Sequence, residues 1–176
     1  MCDPATNDSD LDTQDRSWTD MMYTKINVFE LGGHRYGISL ADTRGFFRVP
    51  SIVPLPKAPP IIEGIINVRG AVIPVLDVRK RFRLPEKPPH PADHLVVAQA
   101  GSRLVALRVD RVLGIEDVDP KDIETAMAIT SKTEYLAGVA KLLDGLVLIH
   151  DLRTFLADSE VRDLNEALDN SSAGVP

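Results

Sequence analysis

Apolar and polar residues alternate in short runs along the middle of the chain, and glycine or proline separates the runs. The first run covers 26–40 and is broken at Gly32-Gly33. Alternation with a period of two residues on both sides of such a break is typical of a β-hairpin. We therefore predict two antiparallel strands over 26–40 and a third strand over 46–53.

Further apolar runs have the same short length. They cover 65–68, 71–76, 94–100, 103–109, 112–118, 135–141 and 146–149. Helical spacing appears at 78–82, from Asp151 onward and in the C-terminal tail. Many short strands with turn residues between them favour small β-barrels over a helical bundle or a Rossmann sheet. The predicted fold class is therefore mainly β, with short helices.

The sequence also matches itself at two offsets. A shift of 74 residues superimposes Gly64 on Gly138, Asp77 on Asp151 and Arg79 on Arg153, and a shift of 68 superimposes Gly33 on Gly101, Arg35 on Arg103 and Asp42 on Asp110. A loop easily accommodates the difference between the two offsets. The matches are explained either by two homologous β-halves or by the residue preferences that short hairpins share.

Negative charge is concentrated at the two ends of the chain. The net charge is -6 at pH 7. Residues 1–20 carry six aspartates and one arginine, and residues 157–176 carry five acidic residues and one arginine. The middle therefore has a surplus of about three positive charges, far below that of a surface that binds a phosphate backbone. We do not expect nucleic acid as a partner.

Composition divides the chain into three parts. Residues 1–20 are polar and poor in periodic apolar positions, which predicts a disordered acidic leader. Residues 21–157 contain the predicted strands, and residues 158–176 form a tail that is either helical or disordered. Cys2 is the single cysteine, and the sequence has neither a signal peptide nor 18 consecutive apolar residues. We expect a cytoplasmic protein without disulfides, metal or membrane insertion.

The segment GIINVRGAVIPVLDVR, which begins at Gly64, is the most informative in the chain. Gly64 and Gly70 permit a positive φ or a close approach of backbones. Pro74 predicts an edge strand, and Asp77 can cap the helix that follows. Neither the turn nor the helix cap requires Arg69. It is either a surface arginine whose stem covers apolar area or a cation presented to a partner.

This segment resembles the signature of the chemotaxis coupling protein family, the CheW family, at nearly every position. Tyr36-Gly37-Ile38 resembles the family's opening hairpin, and the run TEYLAGV at 133–139 resembles a motif of its second half. The resemblance covers about residues 23–157 in the same order and spacing. It implies two intertwined five-stranded SH3-like β-barrels.

The resemblance also implies a function, that of a non-enzymatic adaptor. Such a protein couples chemoreceptors to a chemotaxis histidine kinase of the CheA type and needs no cofactor. The implied partners are the cytoplasmic helical hairpin of a receptor, in a groove between the barrels, and the kinase regulatory domain, at the barrel ends. The implied receptor-binding residues are Gly64, Asn67, Arg69 and Thr43. An auxiliary scaffold of a chemosensory array or motility pathway, which recruits partners through its tails, is the alternative.

Three positions depart from the family pattern. Thr43 and Gly45 stand where the family often has valine and then an acidic residue, and His150 stands where an apolar residue is common. An enzyme is not expected, because the four histidines have no metal-binding spacing and the known phosphate-binding loops are absent. His150 and Asp151 are adjacent strand residues that point to opposite faces, so Asp151 is better explained as a helix cap.

A basic run follows Asp77. It consists of Arg79, Lys80, Arg81 and Arg83. Two interpretations remain open for this run. It is either a solvated helix face or an electrostatic contact with an acidic partner, which affects association rate more than affinity.

Overall fold

The structure, a computed structural model, describes residues 25–126 and 135–172. The predicted disordered leader and the first two residues of the TEYLAGV motif lie outside these ranges. Within them the chain forms eleven β-strands, two α-helices and three short 3-10 turns. The mainly β fold class is confirmed. None of the described helices is long and apolar enough to cross a membrane.

Most strands follow the predicted alternation, but the third strand was predicted over 46–53 and lies at 43–48, with Val53 forming only an isolated bridge to Ile65. In chain order they are β1 Lys25–Leu31, β2 His34–Ser39, β3 Thr43–Arg48, β4 Ile62–Val68, β5 Ala71–Leu76, β6 His94–Ala100, β7 Arg103–Val109, β8 Arg111–Asp117, β9 Ile123–Thr125, β10 Leu136–Leu142 and β11 Gly145–His150. The helices are α1, Val78–Arg81, and α2, Asp158–Ser172. Sequence analysis did not predict β9, which is too short for its alternation to be recognised.

The strands form two sheets, which we call barrel 1 and barrel 2. Barrel 1 has the order β8-β1-β2-β11-β10-β9, and barrel 2 has the order β3-β6-β7-β5-β4. The first hairpin, β1-β2, lies in barrel 1, but the chain then crosses to barrel 2 for β3 to β7 and returns at β8. Each half of the chain therefore contributes strands to both barrels. This is the intertwined arrangement that the resemblance implied, but barrel 1 has six strands where five were expected, because the short β9 adds to its edge.

Apolar side chains pack in three clusters. One lies inside barrel 1 and includes Ile26 and Val147, and another lies inside barrel 2 and includes Ile73 and Leu95. The third and largest cluster joins the barrels, with Phe29 of β1 among its members. Because side chains from both sheets fill this shared cluster, neither barrel has a complete core without the other.

The C-terminal tail is helical over 158–172 and packs on the shared cluster. Leu164 and Ala167 of α2 are buried there. The guanidinium of Arg81, in α1, donates to the Glu160 carboxylate at 2.6 Å. One face of α2 is thus apolar and the other solvated, as expected for a helix docked on a core.

Two glycines matched by the shift of 74 residues occupy equivalent positions. A Cβ on Gly64 would lie 2.3 Å from the carbonyl oxygen of Val53, and a Cβ on Gly138 would lie 2.6 Å from that of Glu124. Real Cβ atoms do not approach backbone oxygens this closely. The same close approach of a neighbouring backbone segment therefore requires glycine in both barrels.

The two matched aspartates also have one role. Asp77 accepts a hydrogen bond from the backbone N–H of Arg79 at 3.1 Å, and Asp151 accepts one from that of Arg153 at 2.9 Å. Asp77 follows β5 and begins α1, and Asp151 follows β11 and begins a 3-10 turn. The predicted capping roles are confirmed.

Pro74 does not lie in an edge strand, so that prediction is wrong. β5 lies between β7 and β4 in barrel 2. Its parallel pairing with β7 is limited to Val75 and Leu76, which follow Pro74. The missing N–H of the proline therefore interrupts no bond of that ladder, which is why an interior strand tolerates it.

Candidate partner-binding site

The β4–β5 turn carries two of the predicted receptor-binding residues. Arg69 and Gly70 form a two-residue turn with positive φ angles of 52° and 87°. Two central residues with positive φ are the mark of a type I′ hairpin turn. The side-chain oxygen of Asn67 accepts a hydrogen bond from the Gly70 N–H at 2.8 Å, which closes the turn. Arg69 thus has a backbone role in the turn that the sequence interpretation did not give it.

The Arg69 side chain is presented to solvent. The residue is exposed, and its guanidinium has no hydrogen bond or ion pair with any residue in the described ranges. A left-handed backbone is uncommon outside glycine and costs some stability. The turn therefore holds an exposed cation on a left-handed backbone.

Gly64 is placed differently from Arg69. It is buried within β4, where its α-carbon packs against the backbone at Val53. It therefore shapes the barrel wall that carries the turn and presents no side chain to a partner.

Thr43 lies on a different strand from the β4–β5 turn. It begins β3, and β3 and β4 are opposite edge strands of barrel 2. Its hydroxyl donates to the carbonyl oxygen of Ser39 at 3.1 Å, which fixes the start of β3. The structure therefore brings Asn67 and Arg69 together and places Thr43 on a separate strand.

Sequence reasoning missed an exposed apolar surface where the barrels meet. β3 and β8 are edge strands of the two sheets, β8 contacts β6, and the 3-10 turn before β3 contacts both β1 and β6. We name the exposed apolar residues of β3 and β8 the junction surface. They are Phe46 (39% exposed), Phe47 (39%), Leu113 (39%) and Ile115 (51%). The alternation of apolar residues in β8 was the feature of the sequence that could have indicated this surface.

Strand register shows that one residue of each strand, Phe46 of β3 and Ile115 of β8, faces the gap between the barrels. Phe46 lies opposite Val96, which belongs to the shared cluster. Ile115 lies opposite Asn27, which shares its face of β1 with Phe29 of the same cluster. Opposed residues in a ladder point to the same face. Phe46 and Ile115 therefore continue the shared core outward to solvent, whereas Phe47 lies opposite Leu95 of the barrel 2 cluster and points to the other face of β3.

A buried arginine connects the elements behind this surface. Arg108 of β7 donates to both carboxylate oxygens of Glu63, at 2.7 Å and 2.5 Å, and to Asp93 at 3.1 Å. Its side chain and that of Asp93 are each only 2% exposed. A buried cation between two carboxylates fixes the segment before β6 against β4 and β7.

A second ion pair, between Arg79 and Asp110, continues this network to the point where the chain passes from β7 of barrel 2 to β8 of barrel 1. Both oxygens of Asp110 accept from the Arg79 guanidinium, at 2.8 Å and 2.6 Å, and Lys87 lies 3.1 Å from the same carboxylate. Burial favours the neutral acid, but these donors and the backbone N–H of Gly32 outweigh it and lower the pKa of Asp110 to about 2.

Two members of the basic run are paired within the chain, so both interpretations of that run are wrong for them. Arg79 is buried and bonded to Asp110. Arg81 pairs with Glu160, and its guanidinium lies 4.9 Å from the centre of the Tyr135 ring. These arginines hold the segment after β5 and the helix α2 in place.

His150 is enclosed by aromatic rings. Its ring centre lies 4.4 Å from that of Phe82, and its Nδ1 lies 2.9 Å from the carbonyl oxygen of Tyr135. Burial lowers the pKa of His150 to about 4, against the opposing effect of the bond to Tyr135. The imidazole is therefore neutral at pH 7 and packs as a core side chain.

Family comparison explains this architecture. The sequence model of the CheW-like domain matches residues 25–160. The chain belongs to the CheW-like family. The predicted resemblance is confirmed, and the match extends over both barrels.

Known proteins resemble this chain over most of their length. Chemotaxis protein CheW of Klebsiella aerogenes is 29% identical over 139 residues, which are 76% of this chain and 82% of that protein. Protein FrzA of Myxococcus xanthus is 30% identical over 114 residues, which are 64% of this chain and 71% of FrzA. The crystal structure of the scaffolding protein TtCheW from Thermoanaerobacter tengcongensis superimposes with a TM-score of 0.71 at 30% identity, covering 78% of this chain and 94% of TtCheW.

Proposed function

We propose that this CheW-like chain is a cytoplasmic adaptor that couples chemoreceptors to a chemotaxis histidine kinase of the CheA type. The observation that carries the proposal is the family match across both barrels, together with a similar solved structure that is itself a scaffolding protein. Two barrels that share one core present separate surfaces at a fixed distance. Such a protein can hold two partners in a fixed relative position through binding contacts alone.

The receptor's cytoplasmic helical hairpin is the proposed partner of the junction surface, with the β4–β5 turn as a second contact. Exposed apolar residues on two edge strands suit the apolar stripe of an amphipathic helix. The kinase regulatory domain is the proposed partner of the barrel ends. The alternative, recruitment through the tails, is less well supported because α2 is docked on the shared cluster.

Co-sedimentation with receptor-containing membranes and purified kinase tests the adaptor function. A variant that lacks residues 1–20 should still carry the kinase into the pellet. The tail should be kept through Ser172, because its removal would uncover Leu164 and Ala167. Loss of kinase from the pellet with the leader deleted, in a variant that melts normally, would favour the tail-recruitment alternative.

Arg69→Ala should weaken receptor binding about thirtyfold, or about 2 kcal/mol, as expected for a central interface arginine. Thermal stability should change little, since the side chain is exposed. Arg69→Gly should lose the same affinity and gain slightly in stability, because glycine adopts the φ of 52° without strain. Calorimetric titration with the receptor hairpin and melting curves measure both quantities.

Gly64→Ala is the contrasting variant for the same experiment. Its Cβ would collide with the Val53 carbonyl, so the free energy of unfolding should fall by roughly 1–3 kcal/mol. The residues of the β4–β5 turn are unchanged in this variant. Receptor affinity that is unchanged in both Arg69 variants would remove Arg69 from the site.

The adaptor is proposed to act without chemistry of its own. His150 is enclosed and neutral, and the Asp151 carboxylate is bonded to Arg153. Incubation with labelled ATP should therefore give no phosphoprotein and no hydrolysis above a blank, with the kinase as positive control. Turnover that disappears in His150→Gln or Asp151→Asn would contradict this.

A further inference from the structure

A proline-rich segment joins α1 to β6. Its sequence over 84–91 is LPEKPPHP, with prolines at positions 85, 88, 89 and 91. Proline fixes φ at about −65°, and a residue that precedes proline is restricted to extended backbone. Residues 84–90 form neither helix, strand nor turn. These restrictions favour the polyproline II conformation, an extended helix with three residues per turn and no internal hydrogen bonds.

Burial along the segment follows the same period of three. Leu84 and Lys87 are half-buried, whereas the other residues of 84–91 are exposed. Leu84 packs against the shared cluster. His90, the next residue at this spacing, donates its backbone N–H to the Asp93 carboxylate at 3.0 Å. One edge of the segment therefore faces the protein, and the edge that carries the prolines at 85, 88 and 91 faces solvent. We name these three prolines the proline ridge.

Buried arginines hold the segment in place behind the ridge. The carbonyl oxygen of Pro85 accepts a hydrogen bond from the Arg79 guanidinium at 3.1 Å, and that of Lys87 accepts one from the Arg108 guanidinium at 2.9 Å. The Lys87 ammonium also donates to the Asp93 carboxylate at 2.8 Å. These contacts use the backbone and the inward edge of the segment. The ridge is therefore ordered and exposed before any partner binds.

We infer that the proline ridge binds a third protein, one with a groove lined by aromatic side chains as in SH3 domains. Such grooves recognise prolines spaced three residues apart on a polyproline II helix. A ligand that is already ordered loses little conformational entropy on binding. Its residues belong to neither the junction surface nor the β4–β5 turn, so this site goes beyond the proposed adaptor function and does not depend on it.

Stiffening of a loop does not by itself require this spacing. The loop after β3 also contains exposed prolines, Pro50, Pro54 and Pro56. Their separations of four and two residues do not match the three-residue turn of a polyproline II helix. They restrict the backbone of their loop without forming a ridge, and they supply a matched control.

Titration of isotope-labelled SH3 domains with the unlabelled full-length protein tests the ridge. The probe is a panel of purified SH3 domains that differ in the charge beside their aromatic groove. At least one domain should show NMR chemical-shift changes confined to that groove. Pro85→Ala/Pro88→Ala/Pro91→Ala should weaken this binding about tenfold or more, because it removes the rings that fill the groove.

Pro50→Ala/Pro54→Ala/Pro56→Ala is the control variant and should bind as the wild type does. Both triple variants should melt close to the wild type, since the replaced prolines are exposed. If the ridge variant melts early, Pro88→Ala alone should still lower the affinity for the SH3 domain. Equal binding by the ridge and control variants would overturn the inference, as would a panel in which no domain binds or in which the shifts lie outside the aromatic groove.

A photo-reactive amino acid in place of Pro89, beside the ridge, locates the natural contact in the native host. The adduct should map to an aromatic groove of a protein other than the receptor and the kinase. Adducts confined to the receptor or the kinase would overturn the third partner and leave the adaptor function standing. Adducts spread over many proteins, without a common aromatic groove, would also overturn it.

Discussion

Arg108→Ala should lower the free energy of unfolding by about 3–5 kcal/mol, the largest effect expected for a single charged residue in this chain. The Arg108 side chain is 2% exposed and donates to Glu63 and Asp93. Its removal leaves Glu63, 14% exposed, without its cation, and leaves Asp93, 2% exposed, with Lys87 as its remaining cation. Buried charges that lose their partner are far more costly than an ion pair that is never formed.

Urea unfolding followed by circular dichroism measures this cost, with Arg111→Ala as the matched control. Arg111 pairs with Glu30 at 3.2 Å, but its side chain is 62% exposed. Its loss should change stability by about 0.5 kcal/mol or less. A cost for Arg108→Ala as small as that of the control would show that solvent reaches the network.

Leu164→Ala should lower the free energy of unfolding by about 2–5 kcal/mol. Leu164 lies in α2, outside the segment that contains the strands, yet it is 0% exposed and packs in the shared cluster. Truncation to alanine removes buried surface and leaves a cavity between helix and barrels. Leu143→Ala, in the exposed β10–β11 turn, should have almost no effect.

The Leu164 result also bears on function. A strongly destabilising effect means that α2 belongs to the folded body and is not a free recruiting tail. A small effect, equal to that of Leu143→Ala, would mean that the helix is undocked in solution. The tail-recruitment alternative would then gain support.

Local pattern was sufficient to predict most of the strands, though not β9 or the bounds of β3, because period-two alternation and turn residues are properties of neighbouring residues. The hairpin over 26–40 and the capping aspartates at 77 and 151 were predicted in this way. Burial of Arg79 was not predictable, since its partner Asp110 is remote in sequence. Pro74 was misplaced for the same reason, because the extent of pairing with β7 depends on a distant strand.

The candidate site was predicted only in part. The type I′ turn at Arg69 lacks the Asn-Gly or Asp-Gly pair that usually marks such turns, so its positive φ was not foreseen. The junction surface requires two edge strands, β3 and β8, that come together only through the exchange of strands between barrels. Neither strand shows from its own sequence that the other borders the same gap.

Strand exchange also affects how this protein is made. β1 pairs with β8, so residues about ninety positions apart must meet before barrel 1 has its sheet. While the ribosome has released only the first half, β1 and β2 have no β8 or β11 beside them, and the side chains of the later shared cluster face water. Nascent chains with open strand edges and exposed apolar residues are prone to aggregate. The intertwined architecture therefore makes the chain slow to fold and dependent on completion of its synthesis.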